Sequence, residues 1–386
     1  MKTGIQNQIA KLASLRFVDY PVTSIFLSLR PSGTRRPGLV FLKKELARLE
    51  KSFPPRSAEA ADLAGDRRRT ERAVEEAQAR KANQLAIFSS ARQEFFEPFF
   101  WTLAPESDEG IPNSVVRGFR PYLHPLALLA DRLESFLLLV ADQRKGELFK
   151  VEAGRITENW RKEAVWHPEA RRKKGGGYDR RTGNIHTTFT RRVEGHLQMH
   201  EEKYFRSLAE KAGAWARASG IRSIIVGADA VSGPPIREEI ARLNSHFSTL
   251  SAPIDAKLST VKKLALGVEA FRKWEDEISF QRVAELFSPG HRQAVFGATE
   301  ALARLRTTPR AELLILDEAF HREGLLCGSC SAPAAQEASC PLCGGPVKWA
   351  PLENELVCLA AALEIEIEFV KDSEPLARKG GVGLLV

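Results

Sequence analysis

Four of the five cysteines fall into two pairs of equal spacing, Cys327-Gly-Ser-Cys330 and Cys340-Pro-Leu-Cys343, with nine residues between the pairs and Gly344-Gly345 behind them. A CxxC turn lets two thiolates converge on one cation, and small residues inside and after it permit the tight bend. Four thiolates fill a tetrahedral shell, so the expected ion is a structural Zn2+ with no position left for a substrate. Two reduced, metal-free pairs or a redox dithiol are the other chemistries this pattern allows. Cys358 stands apart in the apolar run LVCLAAAL and reads as an inert buried thiol.

The second constellation is electrostatic. Arg171, Arg172, Lys173 and Lys174 precede Gly175-Gly176-Gly177, and Tyr178, Asp179, Arg180 and Arg181 follow. Nothing in this stretch has the apolar periodicity of a packed element. It reads as a positive arm whose glycines let backbone approach a ligand closely. Arg191 and Arg192 extend the patch onto the next helix, which favours contact with RNA phosphates over a merely solvated loop. The arm lacks the Lys-Ser/Thr ending of a phosphate-binding P-loop. His196 and His200 have metal-ligand spacing on a helix but no evident third ligand, and read as ordinary helix surface. No nucleophile triad and no general acid/base pair stands out.

The bulk composition agrees with a polyanionic partner. There are 57 basic and 49 acidic side chains, a net charge of +8, with 43% apolar and 27% charged residues overall. That mixture belongs to folded globular chains, not to disordered ones. No run reaches the roughly 18 to 20 apolar residues of a membrane span. The start, MKTGIQNQIAKL, lacks a secretory core, and five cysteines do not pair off, so a reducing, cytoplasmic location is expected.

The elements that must position these groups alternate. Strands are expected at 22–29, 84–89, 94–103, 135–142, 147–152, 222–227, 311–316, 364–369 and 383–386, and helices at 40–52, 57–82, 122–134, 189–219, 257–287, 291–306 and 353–362. The aromatic stripe Phe95, Phe96, Phe99, Phe100 and Trp101 reads as core, and the run RRRTER as a solvated helix face. Residues 143–146 read as a hairpin turn with Gly146 at positive φ. The fold class is α/β (α+β) in three domains: 1–118, 119–251 with the basic arm, and 252–386 with the cysteine insertion.

The order of parts resembles a known family. The glycine arm leads to Phe189-Thr-Arg191-Arg192-Val-Glu194 and a helix carrying Leu208-Ala209-Glu210, then to IIVGAD, Ala294-Val-Phe-Gly297, Glu312-Leu-Leu-Ile-Leu-Asp317, the cysteine pairs and Gly380-Gly381-Val-Gly-Leu-Leu-Val386. Over residues 119–386 this is similar to the archaeo-eukaryotic peptide-chain release factor and Pelota superfamily, in a bacterial branch. The resemblance implies a ribosome ligand whose central domain reaches the A site and peptidyl-transferase centre beside P-site tRNA. Its last domain, similar to a kink-turn-binding protein, would contact a translational GTPase such as elongation factor Tu. Release factors proper carry Gly-Gly-Gln, whose glutamine region positions the attacking water. Here Tyr178 follows the glycines and no glutamine lies between Arg171 and Thr190. The expectation is therefore a rescue- or hibernation-type factor, active in stress, that binds rRNA without hydrolysing peptidyl-tRNA. A peptidyl-tRNA hydrolase with a non-standard loop and an RNA- or tRNA-binding protein acting off the ribosome are the alternatives.

Overall fold

The computed structural model describes residues 4–17, 21–31, 36–103, 110–164, 185–243, 246–288, 293–307, 311–334 and 339–386, with backbone alone for 4–7 and 185–198. It is a mixed α/β protein with several sheets, as the alternating pattern led us to expect. Its described residues gather into two compact units, Glu134–Glu275 and the pair of segments Lys2–Leu133 with Asp276–Val386.

The two-segment unit begins with α1 (Gly4–Ala13) and β1 (Val22–Ser28). Residues Val22 to Leu27 are all buried, and alternation sends them to opposite faces: Ile25 and Leu27 to one core, Val22 and Phe26 to another. Helices α2 (Pro37–Lys51) and α3 (Ala58–Ala79) supply Leu42, Leu46, Leu63 and Val74 to the first core. Strand β2 (Gln84–Ser90) repeats the alternation; β3 (Phe95–Trp101) and β4 (Ser114–Gly118) complete an antiparallel sheet ordered β3-β2-β1-β4. The aromatic stripe splits between the two cores, Phe96 and Phe100 to one, Phe95, Phe99 and Trp101 to the other. Helix α3 is less polar in its burial than in its composition. Asp66 accepts from Thr23 and Ser89, both at 2.6 Å, and Asp62 from Arg117 at 2.6 Å and the Arg92 N–H at 2.8 Å. After β4 comes α4 (His124–Arg132).

In the central unit β5 (Phe136–Ala141), β6 (Lys145–Glu152) and β7 (Arg155–Glu163) form an antiparallel meander. Then follow α5 (Ile185–Ser219), β8 (Ser223–Ala228), α6 (Gly233–Leu243), β9 (Ser248–Ala252) and α7 (Thr260–Phe287), which runs on past the unit. The order is β7-β6-β5-β8-β9, with β5, β8 and β9 parallel. Parallel strands are covered on both faces, which explains the unbroken apolar runs FLLLVA and SIIVG. Leu208, Ala212, Ile236 and Ile240 cover one face, and Phe271 of α7 the other. One sequence expectation is corrected here. Gly146 is not at positive φ; it is a strand residue paired with Ala141. A Cβ there would lie 2.5 Å from the Leu208 side chain, so close packing of α5 demands the glycine. The turn is made instead by Asp142, whose carboxylate accepts the N–H groups of Arg144 and Lys145.

The chain returns to the two-segment unit through β10 (Ala294–Phe296), α8 (Ala298–Thr307), β11 (Leu313–Asp317), β12 (Glu323–Cys327), β13 (Val347–Pro351), α9 (Leu352–Ala362), β14 (Glu366–Val370), α10 (Glu374–Arg378) and β15 (Val382–Leu385). Their four-stranded sheet is ordered β10-β15-β11-β14, and β12 and β13 form a separate ribbon. Leu302, Leu305, Leu356 and Val357 belong to the same apolar core as Val22, Phe26 and Phe88, so the two ends of the sequence share one interior. Among the described residues no helix is long and apolar enough to cross a membrane.

That interior includes a buried titratable group. Helix α4 has no side-chain cap of its own; Asn354 of α9 accepts the Leu123 N–H at 2.6 Å and donates to Pro121 O at 3.0 Å. His124, the next residue, is 2% exposed, and its Nε2 finds no hydrogen-bond partner. Burial, reinforced by nearby His321, pushes its imidazole down to about 4. The folded state thus requires neutral His124, whereas the unfolded chain protonates it below about pH 6.5. Stability is complete above that pH and falls as pH drops towards 4, by at most about 3 kcal/mol from this group. Urea unfolding between pH 7 and 4.5 should show the wild type losing more stability than His124→Gln; parallel losses would mean the buried imidazole is not responsible.

Candidate metal centre and basic arm

The two CxxC turns fold by one repeated pattern. The N–H of the residue after each second cysteine donates to the first cysteine's carbonyl: Ser331 to Cys327 and Gly344 to Cys340, both at 2.8 Å. The first cysteine's own N–H donates one residue further on, Cys327 to Ala332 and Cys340 to Gly345. Closing the turn puts Ser331 at φ +57° and Gly344 at φ +69°, a conformation easy for glycine and costing serine about 1 kcal/mol or more. Gly345 is fixed by space. A Cβ there would stand 2.5 Å from Ser329 Oγ and 3.1 Å from Cys327 Sγ.

Pairing of β12 with β13 brings the two turns face to face, and the four sulfurs lie within 4.8 Å of one another. Cys327 Sγ is 3.4 Å from Cys343 Sγ, and Cys330 Sγ 3.6 Å from Cys340 Sγ. A tetrahedron with metal–sulfur bonds of about 2.3 Å has edges of about 3.8 Å. The cluster therefore fits one tetrahedral ion with small adjustments. Electrostatics point the same way. Burial pushes the Cys327 thiol up, but the N–H groups of Cys330 and Ser329 together with hydrogen bonds from the Cys343 and Cys330 thiols bring it down to about 6. Cys343 is lowered by the Gly345 N–H yet held up at about 12 by hydrogen bonds with its thiol neighbours. Four bare thiolates repel one another; a cation between them removes that conflict. Cys358 is fully buried in α9, with its thiol pushed up to about 12 by burial, as expected of an inert residue.

The basic arm, Arg171 to Arg181, lies outside the described residues. The structure gives its roots: β7 ends at Glu163 with the Ala164 N–H donated to Arg144 O at 2.8 Å, and α5 starts at Ile185. Arg191, Arg192 and His196 sit on α5, and His200 is exposed. The RRRTER run is partly a solvated face: Arg67 pairs with Glu50 and Glu71, but Arg69 reaches Phe95 O at 3.0 Å and Thr70 is buried. Asp62 and Asp66 are the buried carboxylates that sequence reading missed. Burial pushes the Asp66 carboxyl up, but both carboxylates are already occupied by neighbouring donors, which makes them structural ties.

Because Gly345 leaves no room for a methyl group beside Cys327, Gly345→Ala should lower the metal content of purified protein. Elemental analysis checks this, and a full metal complement in the variant would contradict the packing argument.

With this geometry in view, residues 121–260, about a third of the chain, match the family model of the bacterial archaeo-eukaryotic release factor family 10. None of the curated proteins matches. Solved structures to which the chain is similar include the archaeal translation termination factor aRF1 (11% identity, 99% of this chain and 96% of that one, TM-score 0.22). Archaeal Pelota, in a model of its ribosome-bound form with ABCE1, is 10% identical over 100% of this chain and 95% of that one, TM-score 0.40. Dom34 of S. cerevisiae, described as a termination-like factor of RNA quality control that interacts with Hbs1, is 8% identical over 100% and 94%, TM-score 0.37. The segment from Pro121 to Thr260 is thus the part of the chain that a release-factor family model describes.

Proposed function

We propose that this protein binds the A site of idle or stalled ribosomes, as a hibernation or rescue factor, and leaves peptidyl-tRNA intact. The observation that carries the proposal is the match of residues 121–260 to a bacterial release-factor family, in a chain whose glycine arm lacks the glutamine of release factors proper. Without that side chain the arm has no group suited to orienting a water for ester attack. The arm, Arg171 to Arg181 with Arg191 and Arg192, would contact rRNA near the peptidyl-transferase centre and P-site tRNA. In this reading the chain acts in the cytoplasm as three parts, 1–118, 119–251 and 252–386, the last able to meet a translational GTPase such as elongation factor Tu. Lacking the glutamine and carrying a four-cysteine cluster, it would in this reading resemble the bacterial hibernation factor Balon. The ion we assign to Cys327, Cys330, Cys340 and Cys343 is Zn2+, structural because four thiolates close its coordination shell.

Hydrolysis is the rival, favoured by the name of the matching family. With ribosomes carrying labelled peptidyl-tRNA and saturating protein, ester cleavage should stay at the protein-free rate. Release well above that rate would make the protein an enzyme. Ribosome affinity should also fall steeply with salt. Neutralising Arg171, Arg172, Lys173 and Lys174 together should reduce the log-log slope by about 0.7 to 0.9 for each phosphate that the arm ceases to neutralise. An unchanged slope in co-sedimentation would identify the arm as a solvated loop.

A further inference from the structure

Two guanidinium groups from outside the cysteine turns take the carbonyls of the first turn. Arg16, just beyond α1, donates Nη1 to Ser329 O at 2.6 Å and Gly328 O at 3.5 Å, and Nη2 to Ser331 Oγ at 2.9 Å. Arg306, in the last turn of α8, donates Nε to Cys330 O at 2.8 Å. Every residue from Gly328 to Ser331 is therefore held by an arginine from a distant part of the sequence. The bond at Ser331 falls on the residue that the turn forces to positive φ. A Zn2+ ion with four thiolates carries a net charge of −2, and two cations stand behind its first ligand pair.

We propose that Arg16 and Arg306 are positioning residues of the metal centre, and that Arg16 couples metal loading to the seating of residues 9–17. The inference rests on reading the cluster as a zinc site. Neither arginine donates a ligand atom; each fixes the backbone from which Cys327 and Cys330 project. Residues 9–17 are already anchored by Ile9, Leu12, Ala13 and Phe17 in the core. Zinc therefore tightens a docked segment and does not create its docking. Coupling of this kind is reciprocal: whatever factor Arg16 contributes to zinc affinity, zinc contributes to closure of the segment.

The full-length chain tests this through competition of Zn2+ against a chromophoric chelator and amide hydrogen exchange of residues 9–17. Arg16→Gln should lower zinc affinity about 10- to 100-fold, the range for loss of an outer-shell partner. Stripping zinc from the wild type should speed exchange in residues 9–17 by a similar factor, and in Arg16→Gln by little. Arg306→Gln should weaken zinc while leaving the exchange response intact. Should Arg16→Gln not fold, Arg16→Lys, which keeps the charge and loses the fork, should hold zinc more weakly than the wild type and show a smaller exchange response to zinc removal. A wild type purified without zinc overturns the zinc reading and this inference together. A zinc-loaded wild type whose Arg16 variants hold zinc equally tightly, or whose residues 9–17 ignore zinc removal, overturns the inference alone.

Discussion

A strand buried on both faces governs the two-segment unit. From Val22 to Leu27, β1 meets no water, so each of its side chains must be apolar or paired. Ile25, Leu27, Val22 and Phe26 satisfy the first condition. Thr23 and Ser24 satisfy the second, and in doing so become connectors: Thr23 ties β1 to Asp66 of α3, and Ser24 accepts the Tyr122 N–H at the entry to α4. The polar residues of this strand therefore decide which helices can approach it. Asn354 extends the same logic across the sequence, because the uncapped start of α4 is completed by a side chain from α9. Removing any of these partners would leave a buried polar group unsatisfied, at about 1 to 3 kcal/mol each.

The cysteine ribbon has the opposite problem. Its own apolar cluster comprises Cys327, Ala332 and Cys340 with the edges of Cys330 and Val347, while Leu342 and Trp349 are 69% and 59% exposed. So small a cluster cannot hold a segment of this length by burial alone. Two supports replace the missing core: the convergence of four sulfurs on one point, and the arginines that grip the first turn from outside. At its base the ribbon also borrows the main core, where Leu326 of β12 is buried and Ala350 of β13 packs against it.

What the sequence disclosed follows from burial. Long apolar runs such as FLLLVA, and helices with a sustained stripe, were legible because each residue's burial leaves a mark on composition. The edge strands β4, β7, β9, β10, β12 and β13 were not read, since an edge strand buries few residues; in β7, nine residues long, only Ile156 and Trp160 are partly buried apolar residues packed against a core. Helix α6 was missed although Pro234 and Pro235 in its first turn and the four-residue spacing of Ile236 and Ile240 did signal it. The convergence of the four cysteines was legible, because CxxC spacing is itself the geometry. Their supports were not: nothing in the residues around Arg16 or Arg306 marks either as a partner for a turn hundreds or tens of positions away.

The charge distribution separates the two functional elements. Arg171 to Arg181 hold six cations and one carboxylate, +5 of the chain's +8, leaving +3 for all other residues. Outside the arm many arginines are committed: Arg67 to Glu50 and Glu71, Arg132 to Glu318, Arg282 to Glu366 and Glu368. A long-range pull on a polyanion thus has one dominant source, since paired charges of opposite sign cancel beyond a Debye length of about 10 Å. An ion held by all four cysteines would have its shell closed and would offer no position for a substrate or an activated water. In the function proposed above, recognition would fall to the arm, and the four cysteines would serve as a structural tie for the ribbon.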